Sequence, residues 1–341
     1  MPGVVGVLAL GGTIAMSRDD TANSDETTNS VVPTLTANDL VAGLGSACGV
    51  DIEARTIVNR PGASLTIGDL FTLVDTARRL VDDGALGVVV TQGTDTMEET
   101  AFILDLLWDR SAPLVVTGAM RNPTQLGADG PANLAAAIQV ATSSACRGVG
   151  CVVVMNDEIH AARYVRKEHS TSPAAFRSPG AAKIGSVQEG RARLWMSVPR
   201  HHWMPTRLSG PLARVALVEA TFDDEGGLLA PHVLEPFQGV VIAGFGVGHL
   251  SAVAAEAAIA AAVARPVVLA SRCGAGGTLT GTYGFVGSES HLLSNGLISA
   301  GRLDARKARL LLVLLLTSGV GRDTVVRIFS SFDEMPLVER P

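Results

Sequence analysis

Two threonines are the first candidates for chemistry, because each follows a short, mostly apolar run that stops at glycine. Residues 88–90 are valines, and the turn after them carries Thr94 and Asp95. Residues 4–10 form the other run, and Thr13 follows the glycine pair that ends it. A threonine hydroxyl becomes a nucleophile when a neighbouring base takes its proton. The alternative is that these residues only cap helices, which Thr and Asp commonly do.

A lysine could supply that base. The chain has 24 arginines but only three lysines, Lys167, Lys183 and Lys307. Arginine keeps its proton, whereas a buried lysine can release one. Lys167 follows a predicted strand at residues 149–155, so we expect it to reach the sheet edge where Thr94 lies. An ordinary surface lysine is the alternative.

The turn at Thr94 is predicted to join a buried strand to a helix. The valine run does not alternate with polar residues, which is typical of a strand covered on both faces. Apolar residues then recur at helical spacing from Met97 to Trp108, and Asp95 with Glu98 has the spacing of a capping box. Free N–H groups and the helix dipole at such a junction favour negative charge.

The whole chain alternates between strand and helix patterns, which predicts an α/β fold of parallel sheets covered by helices. Further strands are predicted at residues 4–10, 52–58, 114–117, 149–155, 215–218, 240–243 and 267–270, and helices at 70–80, 101–108, 134–141 and 252–264. Ligands bind beyond the carboxyl ends of parallel strands. Several of these ends carry polar residues, so we expect one site along this edge.

Two domains are predicted, at residues 1–205 and 214–341, joined by a linker at 206–213. The linker prediction rests on three prolines and a Ser-Gly pair between residues 199 and 211. Residues 17–34 are almost free of apolar side chains and long for a connection, which indicates either a mobile lid or a plain surface loop.

Composition favours a globular protein that binds a small molecule. The apolar fraction is 47%, the net charge is -6 and the pI is near 5.7, so no basic surface is expected for nucleic acid or acidic membranes. The start has no secretory pattern, and the apolar run at 310–316 is shorter than the ~20 residues that a membrane span needs. These features predict a cytoplasmic protein.

Other kinds of site find little support. The four cysteines form no C-x-x-C pair and are predicted to be reduced and buried. The histidines show no spacing typical of zinc sites, so no metal is predicted. No G-x-S-x-G segment is present, and the glycines at 244, 246 and 248 lack the final step of a dinucleotide motif.

Seven segments resemble the bacterial L-asparaginase family, in the same order along nearly the whole chain. They are GGTIA at residues 11–15, GTDTMEETA at 93–101, GAM at 118–120, ADGPANL at 128–134, VVVMND at 152–157 with Lys167 after it, and YGF at 283–285 followed by KARLLL at 307–312. The resemblance implies a larger N-terminal and a smaller C-terminal α/β domain. It also implies a homotetramer built from dimers, with active sites that lie between subunits, whereas the sequence by itself leaves a dimer or a dimer of dimers open.

The resemblance also implies roles for particular residues. Thr13 corresponds to the primary nucleophile, Thr94 to the second catalytic threonine, and Lys167 and Asp95 to its partners. The implied reaction hydrolyses the side-chain amide of L-asparagine to aspartate and ammonia through an acyl-enzyme, without a cofactor. The implied substrate-binding residues are Gly12, Gly93, Asp95 and Ala119.

The chain departs from the family pattern at several positions. The lid has no tyrosine, and the position of the serine that binds the substrate carboxylate falls on Gly62, with Ser64 as a substitute. His249 stands in place of an asparagine contributed by the partner subunit, and the loop before Tyr283 has no acidic residue. Two alternatives therefore stay open. One is an amidohydrolase for glutamine, a D-amino acid amide or another small amide, and the other is a non-catalytic amino-acid sensor.

Overall fold

A computed structural model describes residues 3–18, 31–42, 44–198 and 210–332. The chain divides into two compact units between residues 203 and 204. The central part of the predicted lid, residues 19–30, and residues 206–209 of the predicted linker lie outside the described ranges. The domain limits 1–205 and 214–341 therefore remain predictions.

The first unit contains a mixed sheet with helices on both faces. The strands of this unit are β1 (Val4–Ala9), β2 (Met16–Arg18), β3 (Val31–Pro33), β4 (Asp51–Thr56), β5 (Val88–Thr91), β6 (Leu114–Thr117), β7 (Cys151–Met155), β8 (Glu158–Ala161), β9 (Arg166–Lys167), β10 (Phe176–Arg177), β11 (Gly185–Gln188) and β12 (Arg191–Leu194). Its α-helices are α1 (Ala37–Val41), α2 (Leu44–Cys48), α3 (Ile67–Asp82), α4 (Met97–Leu107) and α5 (Gly130–Thr142).

Within the described residues this sheet has eight strands in the order β12-β11-β8-β7-β6-β5-β1-β4. The five strands from β4 to β7 are parallel, which the sequence predicted. The three strands beyond β7 are antiparallel and were not predicted. Asn156 and Asp157 reverse the chain after β7 with φ of 51° and 59°, as in a tight two-residue hairpin.

The core of this unit lies on both sides of the central strands. Val7, Val89 and Val115 pack with Leu134 and Ile138 of α5 on one face. The other face is covered by α3, which contacts β1 and β5, and by α4, which contacts β6 and β7. Side chains alternate along a strand, so each strand packs against helices on both faces. The buried valine runs follow directly from this double cover.

The second unit is a smaller parallel sheet. Its strands, in the order β13 (Val215–Glu219), β14 (Gly239–Gly244), β15 (Val267–Ser271) and β16 (Ile298–Ser299), are all parallel among the residues described. Its helices are α6 (Pro231–Leu234), α7 (Ala252–Ala264), α8 (Glu289–Ser294), α9 (Ala305–Thr317) and α10 (Arg322–Ser331). The predicted α/β class is confirmed. Across the described part of the chain, no helix is long and apolar enough to cross a membrane.

The cysteine prediction is partly wrong. All four cysteines lie in the described ranges as free thiols, and Cys146 and Cys151 are buried. Cys273 is exposed because it follows the end of β15, beyond the sheet edge, and Cys48 is half-buried on the short α2. Whether each cysteine is buried therefore depends on where it lies relative to the helices and strands.

Candidate active site

The turn after β5 holds Thr94 in a short 3₁₀ helix, Thr94–Thr96, that leads into α4. Thr94 is 5% exposed, whereas the Asp95 side chain is 73% exposed. The prediction that Asp95 and Glu98 form a capping box is wrong. The 3₁₀ turn delays the start of α4, so Thr96 occupies the N-cap position and Asp95 and Glu98 have other partners.

Lys167 reaches this turn from the ribbon formed by β9 and β10. Its Nζ donates a hydrogen bond of 2.9 Å to Thr94 Oγ1 and one of 2.8 Å to Asp95 Oδ1. The Lys167 side chain is 15% exposed, so water screens this contact only in part. The structure therefore brings together three of the four predicted catalytic residues, with a hydroxyl next to an amine.

The turns after β1 and β5 touch through two glycines. Gly12 has φ of 86°, and a Cβ built on it would lie 2.0 Å from the Gly93 nitrogen. No side chain fits between these two turns, and the left-handed backbone at Gly12 also favours glycine. Thr13 and Thr94 each follow one of the touching glycines, so the two predicted catalytic threonines lie on adjacent turns.

The loop after β6 closes the site on the Thr13 side. Ala119 is 1% exposed and packs with Ile14, the residue after Thr13. Asp129, at the start of α5, accepts hydrogen bonds from the backbone N–H groups of Met120 and Arg121 at 3.1 and 2.9 Å. Ala119 therefore lies in a loop that the beginning of a helix holds in place.

A second short 3₁₀ helix, Gly62–Ser64, packs against the turn after β5. Thr96 Oγ1 donates a hydrogen bond of 3.1 Å to the Gly62 carbonyl, and a Cβ on Gly62 would be 3.3 Å from the Gly93 carbonyl oxygen. Gly62 is buried, whereas Ser64 is exposed. The contact thus involves Gly62, and Ser64, the predicted substitute, lies at the surface of the same turn.

His249 lies in the second unit, beside a carboxylate that the sequence analysis missed. Its Nε2 is 3.0 Å from Glu289 Oε2, and its ring meets Tyr283 and Phe285 edge-on. Glu289 is fully buried; burial opposes its ionisation, but N–H groups of Tyr283 and Thr282 outweigh that effect and lower its pKa. An acidic residue was expected in the loop before Tyr283, whereas Glu289 follows Tyr283 in the chain.

A buried histidine lies next to the ribbon that carries Lys167. His160 of β8 is 2% exposed, and its Nδ1 is 2.9 Å from the hydroxyl of Ser178, which follows β10. Its Nε2 is 3.3 Å from Glu158, a carboxylate that also accepts a hydrogen bond from Lys183. Burial lowers the pKa of His160 to about 4, and the Glu158 carboxylate offsets part of that effect.

Both halves of the chain match known families. Residues 4–199 match the family described as Asparaginase, N-terminal, and residues 214–329 match the Glutaminase/Asparaginase C-terminal domain. The chain belongs to the asparaginase family. This confirms the predicted resemblance, the two-domain asparaginase-like fold and an asparaginase-type enzyme.

Similar proteins cover most of the chain. An L-asparaginase of Bacillus licheniformis is 33% identical over 271 residues, which are 79% of this chain and 83% of the relative. L-asparaginase 2 of Escherichia coli strain K12 is 31% identical over 333 residues, 96% of this chain and 92% of the relative. The crystal structure of a probable cytoplasmic L-asparaginase from Campylobacter jejuni has a TM-score of 0.84, with 28% identity over 96% of this chain and 99% of that one. That name agrees with the predicted cytoplasmic location.

Proposed function

We propose that this enzyme hydrolyses the side-chain amide of L-asparagine to aspartate and ammonia with a threonine nucleophile. The observation that carries the proposal is the Lys167 amine, which donates to both the Thr94 hydroxyl and the Asp95 carboxylate. Such a group can take up and return protons during acyl transfer. Family membership and the names of the relatives support asparagine as the substrate.

In the proposed mechanism, the Thr13 hydroxyl attacks the amide carbon, and the backbone N–H groups at the Gly12 and Gly93 turns stabilise the oxyanion. The C–N bond then breaks, and ammonia leaves with the proton that threonine gave up. Water attacks the resulting ester, and its proton passes through the pair formed by Thr94 and Lys167 to the departing Thr13 oxygen. Aspartate leaves, and the Thr13 hydroxyl is restored.

We assign substrate binding to the groups around the two glycine turns that precede Thr13 and Thr94. Asp95 would bind the substrate ammonium, because most of its side chain faces solvent while one oxygen holds Lys167. The Gly12, Gly93 and Ala119 backbones would face the reacting amide. Ser64 and, from a partner subunit, His249 remain proposed contributors.

The alternative substrates are glutamine, a D-amino acid amide or another small amide. The exposed position of Ser64 favours this alternative, since a lost hydrogen-bond partner weakens binding by about 1–3 kcal/mol. The family that matches the second unit is itself named for glutaminase as well as asparaginase. Ammonia release from L-asparagine, L-glutamine and D-asparagine, measured side by side, decides between them.

Alanine variants test the mechanism. Thr13→Ala and Thr94→Ala should each lower ammonia release by at least about 1,000-fold, because the nucleophile or its proton carrier is lost. Thr72→Ala, at an exposed threonine of α3, is the matched control and should retain full activity. Full activity in either site variant would contradict the proposal, and saturable binding of asparagine without ammonia release would indicate a sensor.

A further inference from the structure

The first turn of α4 contains a buried carboxylate for which the mechanism has no role. Glu98 is 2% exposed, and its Oε2 accepts a hydrogen bond of 2.5 Å from the backbone N–H of Lys167. Carboxylates are rarely buried unless a charged or hydrogen-bonded partner compensates for the lost water. Near the amino end of a helix the dipole also favours negative charge.

This bond ties the lysine to the segment that its amine contacts. Thr94 and Asp95, which accept from Lys167 Nζ, precede Glu98 by four and three residues. Residues 94–98 therefore hold Lys167 at both ends. The Lys167 backbone N–H is bound by Glu98, and the Lys167 amine is bound by Thr94 and Asp95. A lysine side chain has four rotatable bonds, so the position of its backbone decides whether the amine reaches Thr94.

The ribbon by itself gives Lys167 little support. β9 and β10 pair over two residues each, Lys167 opposite Phe176 and Arg166 opposite Arg177. Two short antiparallel strands are marginal without other contacts. The Glu98 carboxylate supplies such a contact at Lys167 itself.

We infer that Glu98 is a positioning residue for the reaction, which acts by holding the Lys167 backbone so that Nζ stays on Thr94 and Asp95. The inference rests on the proposed function for its effect on rate. What matters is the reach of the Glu98 side chain, which is long enough for its oxygen to accept the hydrogen bond from the Lys167 backbone N–H. Its negative charge is secondary. If Glu98 only stabilised the fold, its substitution would change the rate equally whether or not Lys167 is present.

Two substitutions separate reach from charge. Glu98→Gln keeps the length and one acceptor oxygen, so kcat should stay within about fivefold of the parent enzyme. Glu98→Asp keeps the charge but withdraws the acceptor by about 1.5 Å, one C–C bond. A misplacement of this size lowers kcat by about 100-fold when it reaches the reacting groups, and KM should change less than about threefold. Glu99→Asp, at the half-buried carboxylate next in the same turn, is the control and should stay near the parent kcat.

A double-mutant cycle shows whether Glu98 acts through the lysine. In a Lys167→Met background the amine is gone, so adding Glu98→Asp should lower the residual rate by less than about twofold. An undiminished loss of about 100-fold in that background would overturn the inference. A Gln variant weaker than the Asp variant would also overturn it, because charge would then matter more than reach.

Amide hydrogen exchange tests the contact without using activity. Exchange in the peptide that contains Lys167 should be slow in the parent enzyme and in Glu98→Gln, and at least about tenfold faster in Glu98→Asp. Unchanged exchange in Glu98→Asp would overturn the inference. So would faster exchange with an unchanged kcat. If the parent enzyme released no ammonia from any amide, the proposed function would fail, whereas the exchange measurement would still decide whether Glu98 holds this backbone.

Discussion

We propose two tasks for the exposed carboxylate of Asp95. One oxygen holds the Lys167 amine, yet 73% of the side chain is exposed and can meet a substrate ammonium. The two tasks differ in what they require of the substrate. Holding the lysine matters for every amide, whereas ammonium binding matters only for substrates that carry that group.

The Asp95→Asn variant separates these tasks. Hydrogen bonds to charged groups contribute about 1.5–3 kcal/mol, so kcat/KM for L-asparagine should fall by about 10 to 100-fold. With succinamate, which is asparagine without its α-amino group, the fall should be about tenfold smaller. Steady-state kinetics on both substrates measures this difference. Equal losses would assign Asp95 to the lysine alone.

At the scale of single residues, the sequence predicted that Thr94, Asp95 and Lys167 lie together better than it predicted the groups around them. Thr94, Asp95 and Lys167 were found because hydroxyl, carboxylate and amine follow strands that end at one edge. Glu98 was misassigned because its spacing from Asp95 suits a capping box, and spacing does not reveal the 3₁₀ turn before α4. Glu289 was missed because it lies on α8, whereas only the loop before Tyr283 was considered.

The elements meet at the two glycine turns, after β1 and after β5. Gly12→Ala should lower the free energy of unfolding by about 3 to 5 kcal/mol, because a Cβ 2.0 Å from Gly93 adds overpacking to left-handed strain. Gly49→Ala is the control. Gly49 also has a positive φ, of 68°, but a Cβ there would meet no described atom within 4 Å, so only about 1–2 kcal/mol should be lost. Urea denaturation measures both, and equal losses would contradict the packing argument.

Strand β8 makes stability depend on pH through His160. Burial lowers the pKa of His160 to about 4, against 6.5 for the ordinary group, so the unfolded chain binds its proton first as pH falls. The contribution of uncharged His160 to the free energy of unfolding is therefore fully present above about pH 6.5. It is lost progressively down to about pH 4, and the loss is on the order of 3 kcal/mol. The difference in unfolding free energy between the parent and His160→Gln, measured from pH 7 to pH 4, should shrink by this amount. A difference independent of pH would contradict the argument.

Several element bounds followed from simple patterns, and the misses have physical reasons. The strand at residues 114–117 and the helix at 252–264 were predicted with their observed limits, because an unbroken apolar run and an alanine-rich segment begin and end sharply. The strands β8, β11 and β12 were missed because they are short, and because β8 and β12 carry charged residues and β11 carries polar ones. The Asn156–Asp157 pair was read as a strand end, although it forms the hairpin that starts these antiparallel strands.

At the scale of the whole molecule, we propose a homo-oligomer in which His249 serves the site of another copy. Co-expression of Thr94→Ala and His249→Ala chains tests this. If the two residues meet only across subunits, random mixing leaves about one quarter of the sites with both intact, so about one quarter of the parent activity should return. Each variant alone should be much weaker, by about tenfold or more for His249→Ala. Activity no higher than the average of the two separate variants would place both residues in one chain's own site, and sedimentation measures the oligomer size.

The touching glycines also limit how this enzyme can be redesigned. Since no side chain fits between the turns that carry Thr13 and Thr94, substitutions there alter the spacing of the two hydroxyls before they alter which amide is accepted. Libraries aimed at a new substrate should keep this glycine pair and diversify more exposed residues of the neighbouring loops, such as 63–64 and 121–126. The same pair offers a simple filter for designed sequences, which should be discarded when either glycine has been replaced.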